Sequence, residues 1–307
     1  MEEFSVSYII QTALELGFLY ALVAIALFLS YRVLDIADLT TDGSFILGAA
    51  VSVTMAAAGH PYLGIAAAFL SGACAGGVTA LLQTKLGVPS ILAGIITNTG
   101  LYTVNLMIMG WSSNVSLLKT ETIFTLFQKT KLGGRYSDIL LTFLIVVLVG
   151  ISLLLFLKTR LGLSIRATGD NMKMVRASSI NPVFTITVGL CIANGITALS
   201  GAMVGQYQNA ADINGGTGIV VIGLACLIIG ETVLGHRTVK KGVIAAVIGS
   251  VIYRLIYAVV LYTKIVPVQG LKLLTAIVVA LAIAFPTMKK QIQFQKRKFA
   301  ASRKGVE

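Results

Sequence analysis

Long apolar runs separated by short polar breaks recur from one end of this chain to the other, at lengths that cross a bilayer. They predict helices over roughly 6–30, 43–58, 62–83, 88–110, 138–157, 183–206, 218–234, 243–262 and 271–287. Several runs are short or glycine-rich, so the expected number of transmembrane helices is about nine, within a range of eight to ten. The fold class is an all-α polytopic membrane protein, with residues 1–287 as the transmembrane domain and 288–307 as a basic tail. Residues 6–30 lack a basic leading region and a cleavage site, so they read as a retained span.

Two segments break the apolar pattern in the same way. ADLTTDGSFILG (37–48) and ADINGGTGIVVIG (211–223) each begin Ala-Asp-apolar, pass through small polar residues and open a new apolar helix. The helix order places them on opposite sides of the membrane. One reading is an inverted repeat with interrupted helices, the arrangement that builds a central pathway. The other is two unrelated polar turns. The pairs Gly72/Gly76 and Gly201/Gly205 form small-residue faces that let helices approach closely.

Composition supports the membrane assignment, with 56% hydrophobic residues, 12% charged residues and a mean hydropathy of +0.90. The net charge of +12 sits in loops and tail, which fits a positive-inside bias better than nucleic-acid binding. Placing the C terminus inside puts 17 of the 24 basic residues in the cytoplasm: Arg32, Lys85, five in 158–176, Arg237, Lys240, Lys241 and seven from Lys289 to Lys304. Cys74, Cys191 and Cys226 lie in apolar runs and read as packing residues.

Residues 158–182 form a long basic loop with Lys158, Arg160, Arg166, Lys173 and Arg176. Asp170 suits an N-cap for a helix starting at Asn171, Met172 and Val175 share one face, and Pro182 stops the helix. Such a short helix needs a surface to dock on. It reads either as a cytoplasmic docking element or as an ordinary positive loop. Outside, residues 111–137 carry Trp111 and a short helix with Ile123, Leu126 and Phe127 on one face. That helix serves either an external partner or as a lid on lipid headgroups.

No catalytic or metal constellation emerges: His60 and His236 stand apart without partners at ligand spacing. Polar residues inside spans carry more weight. Asn98 and Asn105 face nearly the same way on one helix, and Gln206, Gln208, Asn209 and Asp212 cluster at the outer end of another. Together they form a candidate translocation path for a zwitterion, or act as interhelical glue. Tyr102, Tyr207, Phe45 and Trp111 could give that path an aromatic surface, or simply sit at interfaces. Glu15 and Arg254 lie at similar depths and form a candidate intramembrane ion pair. The competing arrangement has Arg254 facing a watery cavity while Glu15 snorkels outward.

YRVLDIADLTTDGSFILGAA (31–50), LAGIITNTGLYTVNLMIMG (92–110), RATGDNMKMVRASSI (166–180) and ALSGAMVGQYQNAADINGGTGIVVIGLACLIIGE (198–231) resemble the permease subunits of bacterial ABC importers. The family is that of branched-chain amino acid and ribose permeases, and the closest subgroup is assigned to aromatic amino acids, especially tryptophan. The resemblance spans most of 15–287. It implies an inner-membrane permease that pairs with a second copy of itself, two cytoplasmic ATPase subunits and an extracytoplasmic solute-binding protein. It matches Arg166, Gly169, Asp170, Asn171, Met172, Met174 and Arg176 to the loop that couples the permease to its ATPase.

No GxxxxGK[ST] phosphate loop occurs, so ATP and Mg would be bound by the partner ATPase and this chain needs no cofactor. The resulting expectation is ATP-driven import of an amino acid by alternating access. The rival classes are an ion-gradient-driven secondary transporter and a passive channel. A secondary transporter would place ionisable groups deep in the bundle, where only Glu15 and Arg254 stand out in the sequence.

Overall fold

In lipid the backbone must satisfy its own hydrogen bonds, so apolar runs of this length become helices. The computed structural model describes residues 2–117, 120–130, 134–235 and 238–263, with isolated positions between 273 and 284. Helix α1 (Glu2–Leu27) continues into a π-helical turn, Phe28–Val33, followed by α2 (Thr41–Ala57), α3 (Pro61–Thr84) and α4 (Ser90–Ile108). A strand, β1 (Asn114–Ser116), and a short helix, α5 (Ile123–Lys129), precede α6 (Ser137–Phe156). Next come α7 (Arg160–Asp170), α8 (Met172–Ala177) and α9 (Pro182–Gln208). Strand β2 (Ala210–Asp212), α10 (Ile219–Leu234) and α11 (Val239–Tyr262) complete the described elements.

Eight of the nine predicted runs appear as helices. The ninth, 271–287, falls mostly outside the described residues, as does the tail 288–307. Six of the described helices are long and apolar enough to cross a membrane. Helices α2 and α10, with 17 and 16 residues, are not. At 1.5 Å per residue they measure about 26 and 24 Å, short of a hydrocarbon core of about 30 Å.

Both short helices begin inside the bundle. Ser44, in the first turn of α2, donates to Asn194 Oδ1 at 2.7 Å. Asn194 lies twelve residues into the 27-residue α9, about 18 Å from its start. Helix α10 starts at the same level: the Asp42 carboxylate accepts from Gly218 N–H at 3.0 Å and from Val220 N–H at 2.8 Å. Packing contacts run Ser44–Asn194 to Ser52–Gln206 along α2 and α9, which are therefore parallel. Helix α10 turns back after α9. The two half-helices thus start head to head and leave toward opposite ends. The two polar segments, expected on opposite sides of the membrane, enter from opposite sides but meet in the middle.

The irregular segment 34–40 needs partners for its backbone, and buried side chains supply them. Asp38 Oδ1 accepts from Thr40 N–H at 2.9 Å, and Oδ2 accepts from Asn194 Nδ2 at 2.6 Å. Thr40 bonds Thr79 at 2.7 Å, which bonds Thr97 at 3.0 Å. All of these side chains are buried. Helix α3 packs on α9 through Gly72 and Gly76, where an added Cβ would lie 2.5 Å from Asn194 O and 2.3 Å from Leu190 O. This is the close approach that small residues permit between helices.

At the end of the bundle away from the Arg32–Glu231 pair, β1 and β2 form an antiparallel ribbon with Val115 opposite Ala211, an element absent from the sequence expectation. Helix α5 packs one face on the bundle and leaves the other open. Its buried residues are Ile123 and Phe124, whereas Leu126 and Phe127 are only partly covered. Phe124 meets Tyr207 edge-on at 5.4 Å, and Thr122 and Thr125 close a capping box at the helix start.

Candidate functional site

The head-to-head start of α2 and α10 borders a cavity of about 330 Å³ lined by Asp42, Asn98, Thr99, Tyr102, Asn105 and Thr217, among others. Asn98 and Asn105, seven residues apart on α4, both reach it, as their spacing predicts. Asn105 is fully buried: its Nδ2 donates to Gly43 O at 3.3 Å, while its Oδ1 has no hydrogen-bond partner. An unpaired buried amide oxygen is costly unless a ligand or water meets it. Nothing in the sequence singles out Asp42, although it lies in the first polar segment. Its role becomes visible only when residues 218–220 fold onto it.

The other candidate path residues do not join this cavity. Gln206 is buried and acts as a brace, donating to Ser52 Oγ at 2.8 Å and Pro61 O at 3.0 Å and accepting from Ile123 N–H at 2.9 Å. Asn209 ends α9 in a left-handed conformation with φ +53°, and its carbonyl accepts from Leu117 N–H. Asp212 closes a turn by accepting from Asn214 N–H at 2.9 Å, and Gln208 is exposed. Gln206 thus braces α2, α3 and the start of α5 with its amide, whereas Asn209 and Asp212 shape the turn after α9 through a backbone carbonyl and a carboxylate.

Glu15 and Arg254 do not pair. Glu15 accepts from Tyr207 Oη at 2.6 Å and from Gln11 Nε2 at 3.0 Å. Arg254 lies over the ring of Tyr20, 3.8 Å from its centroid. The helix backbones explain this. Helix α11 packs antiparallel to α1, with Ser250 donating to Gly17 O and Gly242 against Phe28. Side chains on a helix lean toward its N terminus, so Arg254 leans toward Tyr20 and away from Glu15.

At the opposite end of the bundle a second polar cavity, about 310 Å³, is lined by Phe28, Arg32, Val33, Arg166, Asp170, Glu231, Thr238 and Val239. Arg32 grips Glu231 with a two-point fork whose Nε–Oε1 arm is 2.7 Å. This joins the π-helical turn to the end of α10. Among the described residues the other ion pair is Lys129–Glu121.

The basic loop 158–182 contains two helices, not one. Helix α7 was not expected, although Thr159 caps it and Gly162, Ile165 and Thr168 bury one face at helical spacing. Asp170 is its last residue. The N-cap of α8 is Asn171, whose Oδ1 accepts from Lys173 and Met174 N–H, both at 3.1 Å. Met172 and Val175 part company: Val175 is buried and Met172 is exposed. Met174, Arg166 and Arg176 are also exposed. Gly169 touches the π-helical turn, where an added Cβ would lie 2.0 Å from Val33 O. Thr168 and Thr185 hydroxyls, 2.8 Å apart, tie α7 to α9.

Several known proteins are similar to this chain. The tyrosine transport system permease protein of Clostridioides difficile (strain R20291) is 34% identical over 265 residues, 86% of each chain. Uncharacterized protein RP368 of Rickettsia prowazekii (strain Madrid E) is 31% identical over 280 residues, covering 90% of this chain and 97% of its own. The inner membrane ABC transporter permease protein YjfF of Escherichia coli (strain K12) is 26% identical over 249 residues, 71% of this chain and 73% of its own. No solved structure matches the chain. The family described as branched-chain amino acid transport system / permease component matches residues 9–288. With its interrupted helices and polar mid-membrane cavity, the chain belongs to this family of amino-acid transport permeases.

Proposed function

We propose that this chain is the membrane subunit of a binding-protein-dependent ABC importer that moves an amino acid, of aromatic type, into the cytoplasm. The observation that carries the reading is the meeting of two half-helices at Asp42, beside a cavity holding Asn98, Tyr102 and the unpaired Asn105 Oδ1. Half-helix starts directed at a central cavity are a recurring way to build the site around which access alternates. Asp42 offers a carboxylate to an ammonium group, the two amides serve polar atoms, and Tyr102 offers a ring. The name of the Clostridioides relative points to the same cargo class.

Motion comes from outside the chain. A cytoplasmic ATPase engages the exposed side chains of α7 and α8, and these helices press on the π-helical turn through Gly169. A loaded binding protein docks on the opposite side, against the ribbon and α5. A second copy of the chain completes the pathway, and the C terminus is on the cytoplasmic side of the inner membrane, as the excess of basic residues favours. Co-purification with the partner ATPase and binding protein tests this. Two copies of each membrane and ATPase subunit are expected, with ATP hydrolysis stimulated by loaded binding protein. A chain that transports without an ATPase would refute the reading.

One observation favours the ion-coupled alternative. Asp38 is buried at mid-depth with Thr40, Ser44 and Asn194 close by, a setting in which carriers bind ions. Asp38 does not line the cavity beside Asp42, which suits a structural anchor better than an ion site.

A further inference from the structure

Arg254 is an intramembrane cation without an acid. Among the described residues no carboxylate lies within ion-pair distance of it, and its Nε is buried with no acceptor. It lies eight residues before the end of α11 and fifteen after its start, about 12 and 22 Å respectively. A charge at that depth needs a stated reason. The face of Tyr20 at 3.8 Å and that of Tyr257 at 5.7 Å stabilise the guanidinium in part. Neither ring accepts its in-plane hydrogen bonds, which remain available to an oxyanion.

There is room for one. Two cavities share Arg254 and Tyr257 as walls. One, about 520 Å³, runs between Tyr8–Leu16 and Tyr257–Tyr262. The other, about 390 Å³, is bounded by Tyr20, Thr217, Gly218, Tyr253 and Val279, a size typical of small-molecule sites. Thr217 also lines the polar cavity beside Asp42. Opposite charges therefore flank the start of α10: Asp42 on one side of residues 217–218, Arg254 on the other. The depth of Arg254 disfavours a lipid phosphate, which lies at the interface.

We propose that Arg254 receives the carboxylate of the transported solute in the 390 Å³ cavity, a station on the route separate from the cavity beside Asp42, with Val221, Ile222 and Tyr257 against its apolar part. This rests on the proposed function and adds to it the residue that selects for a carboxylate. The planar guanidinium fork suits two carboxylate oxygens at once.

The test uses the permease–ATPase complex in lipid nanodiscs without binding protein, and measures binding of L-tyrosine and L-leucine, each against its amide. The wild type is expected to bind at least one of the acids about tenfold more tightly than the amide. Arg254→Gln should abolish that preference, and Arg254→Lys, which keeps the charge, should retain part of it. Equal binding of acid and amide by the wild type overturns the proposal, as does an unchanged preference in the Gln variant. If Arg254→Gln fails to assemble, the wild-type ratio and the Lys variant decide. An anionic lipid that co-purifies with the wild type and is lost from the Gln variant, with amino-acid binding unchanged, also overturns it. ATP-driven import by a wild type lacking the preference sinks this inference alone, whereas absence of ATP-driven import sinks the proposed function.

Discussion

Gly169→Ala isolates the proposed step by which α7 and α8 act on the membrane core. The new Cβ would stand 2.0 Å from Val33 O, 2.9 Å from Val33 C and 3.0 Å from Leu34 Cα. All three are backbone atoms of the π-helical turn or its end, so no flexible side chain can yield. The two segments must part by about 1 Å to reach even the shortest tolerated contact. Overpacking of this kind costs about 1–3 kcal/mol, which weakens docking of α7 by about 5- to 150-fold. Alanine's better helix propensity, up to about 1 kcal/mol, stabilises α7 docked or undocked and does not offset this loss. The assay is import and ATP hydrolysis measured together in proteoliposomes holding the full complex. The variant should assemble and hydrolyse ATP while importing several-fold less solute per ATP. Gly100→Ala is the control, because an added Cβ there meets nothing within 4 Å. Wild-type import by the Gly169 variant would refute the transmission route.

Arg32→Ala leaves Glu231, whose side chain is 7% exposed, without its partner. The cost is on the order of 2 kcal/mol, below that of a fully buried pair because the arginine side chain is 41% exposed. Thermal unfolding in detergent should show a lowered midpoint, and adding Glu231→Gln should recover part of it. Asp42→Asn removes the charge at the start of α10 and should cost about 1 kcal/mol of stability while reducing import far more. Equal losses in both measurements would reduce Asp42 to a cap. Arg166→Glu with Arg176→Glu should weaken ATPase association in pull-downs while binding-protein docking persists. Normal assembly of the double variant would remove these arginines from the interface.

Apolar run length made the helices legible, but it reports how much chain is apolar and not how deep a helix starts. That is why 43–58 and 218–234 read as ordinary spans. Their mid-membrane starts depend on Asp42 meeting Gly218 and Val220, residues some 176 and 178 positions away. Local signals failed where two neighbours offered the same chemistry. Asp170 and Asn171 both suit an N-cap, and the extended backbone of Asn171, φ −159°, decides between them. Gln206 misled for another reason. An amide in an apolar run looks the same whether it lines a route or braces three elements, and only tertiary partners distinguish the two. Helix α7 was legible in principle from Thr159 and the spacing of Gly162, Ile165 and Thr168. The surrounding basic residues masked its single buried face. The proximity of Glu15 and Arg254 in depth was sound, but depth alone does not fix the direction in which a side chain leans.

The most direct test of the account is solute uptake by proteoliposomes containing this chain, its ATPase and its binding protein, with radiolabelled L-tyrosine or L-leucine outside. The account predicts accumulation against a gradient that requires ATP inside the ATPase-facing compartment and loaded binding protein on the other side. Imposed Na⁺ or H⁺ gradients should have no effect on it. Uptake driven by an ion gradient with ATP absent would contradict the account.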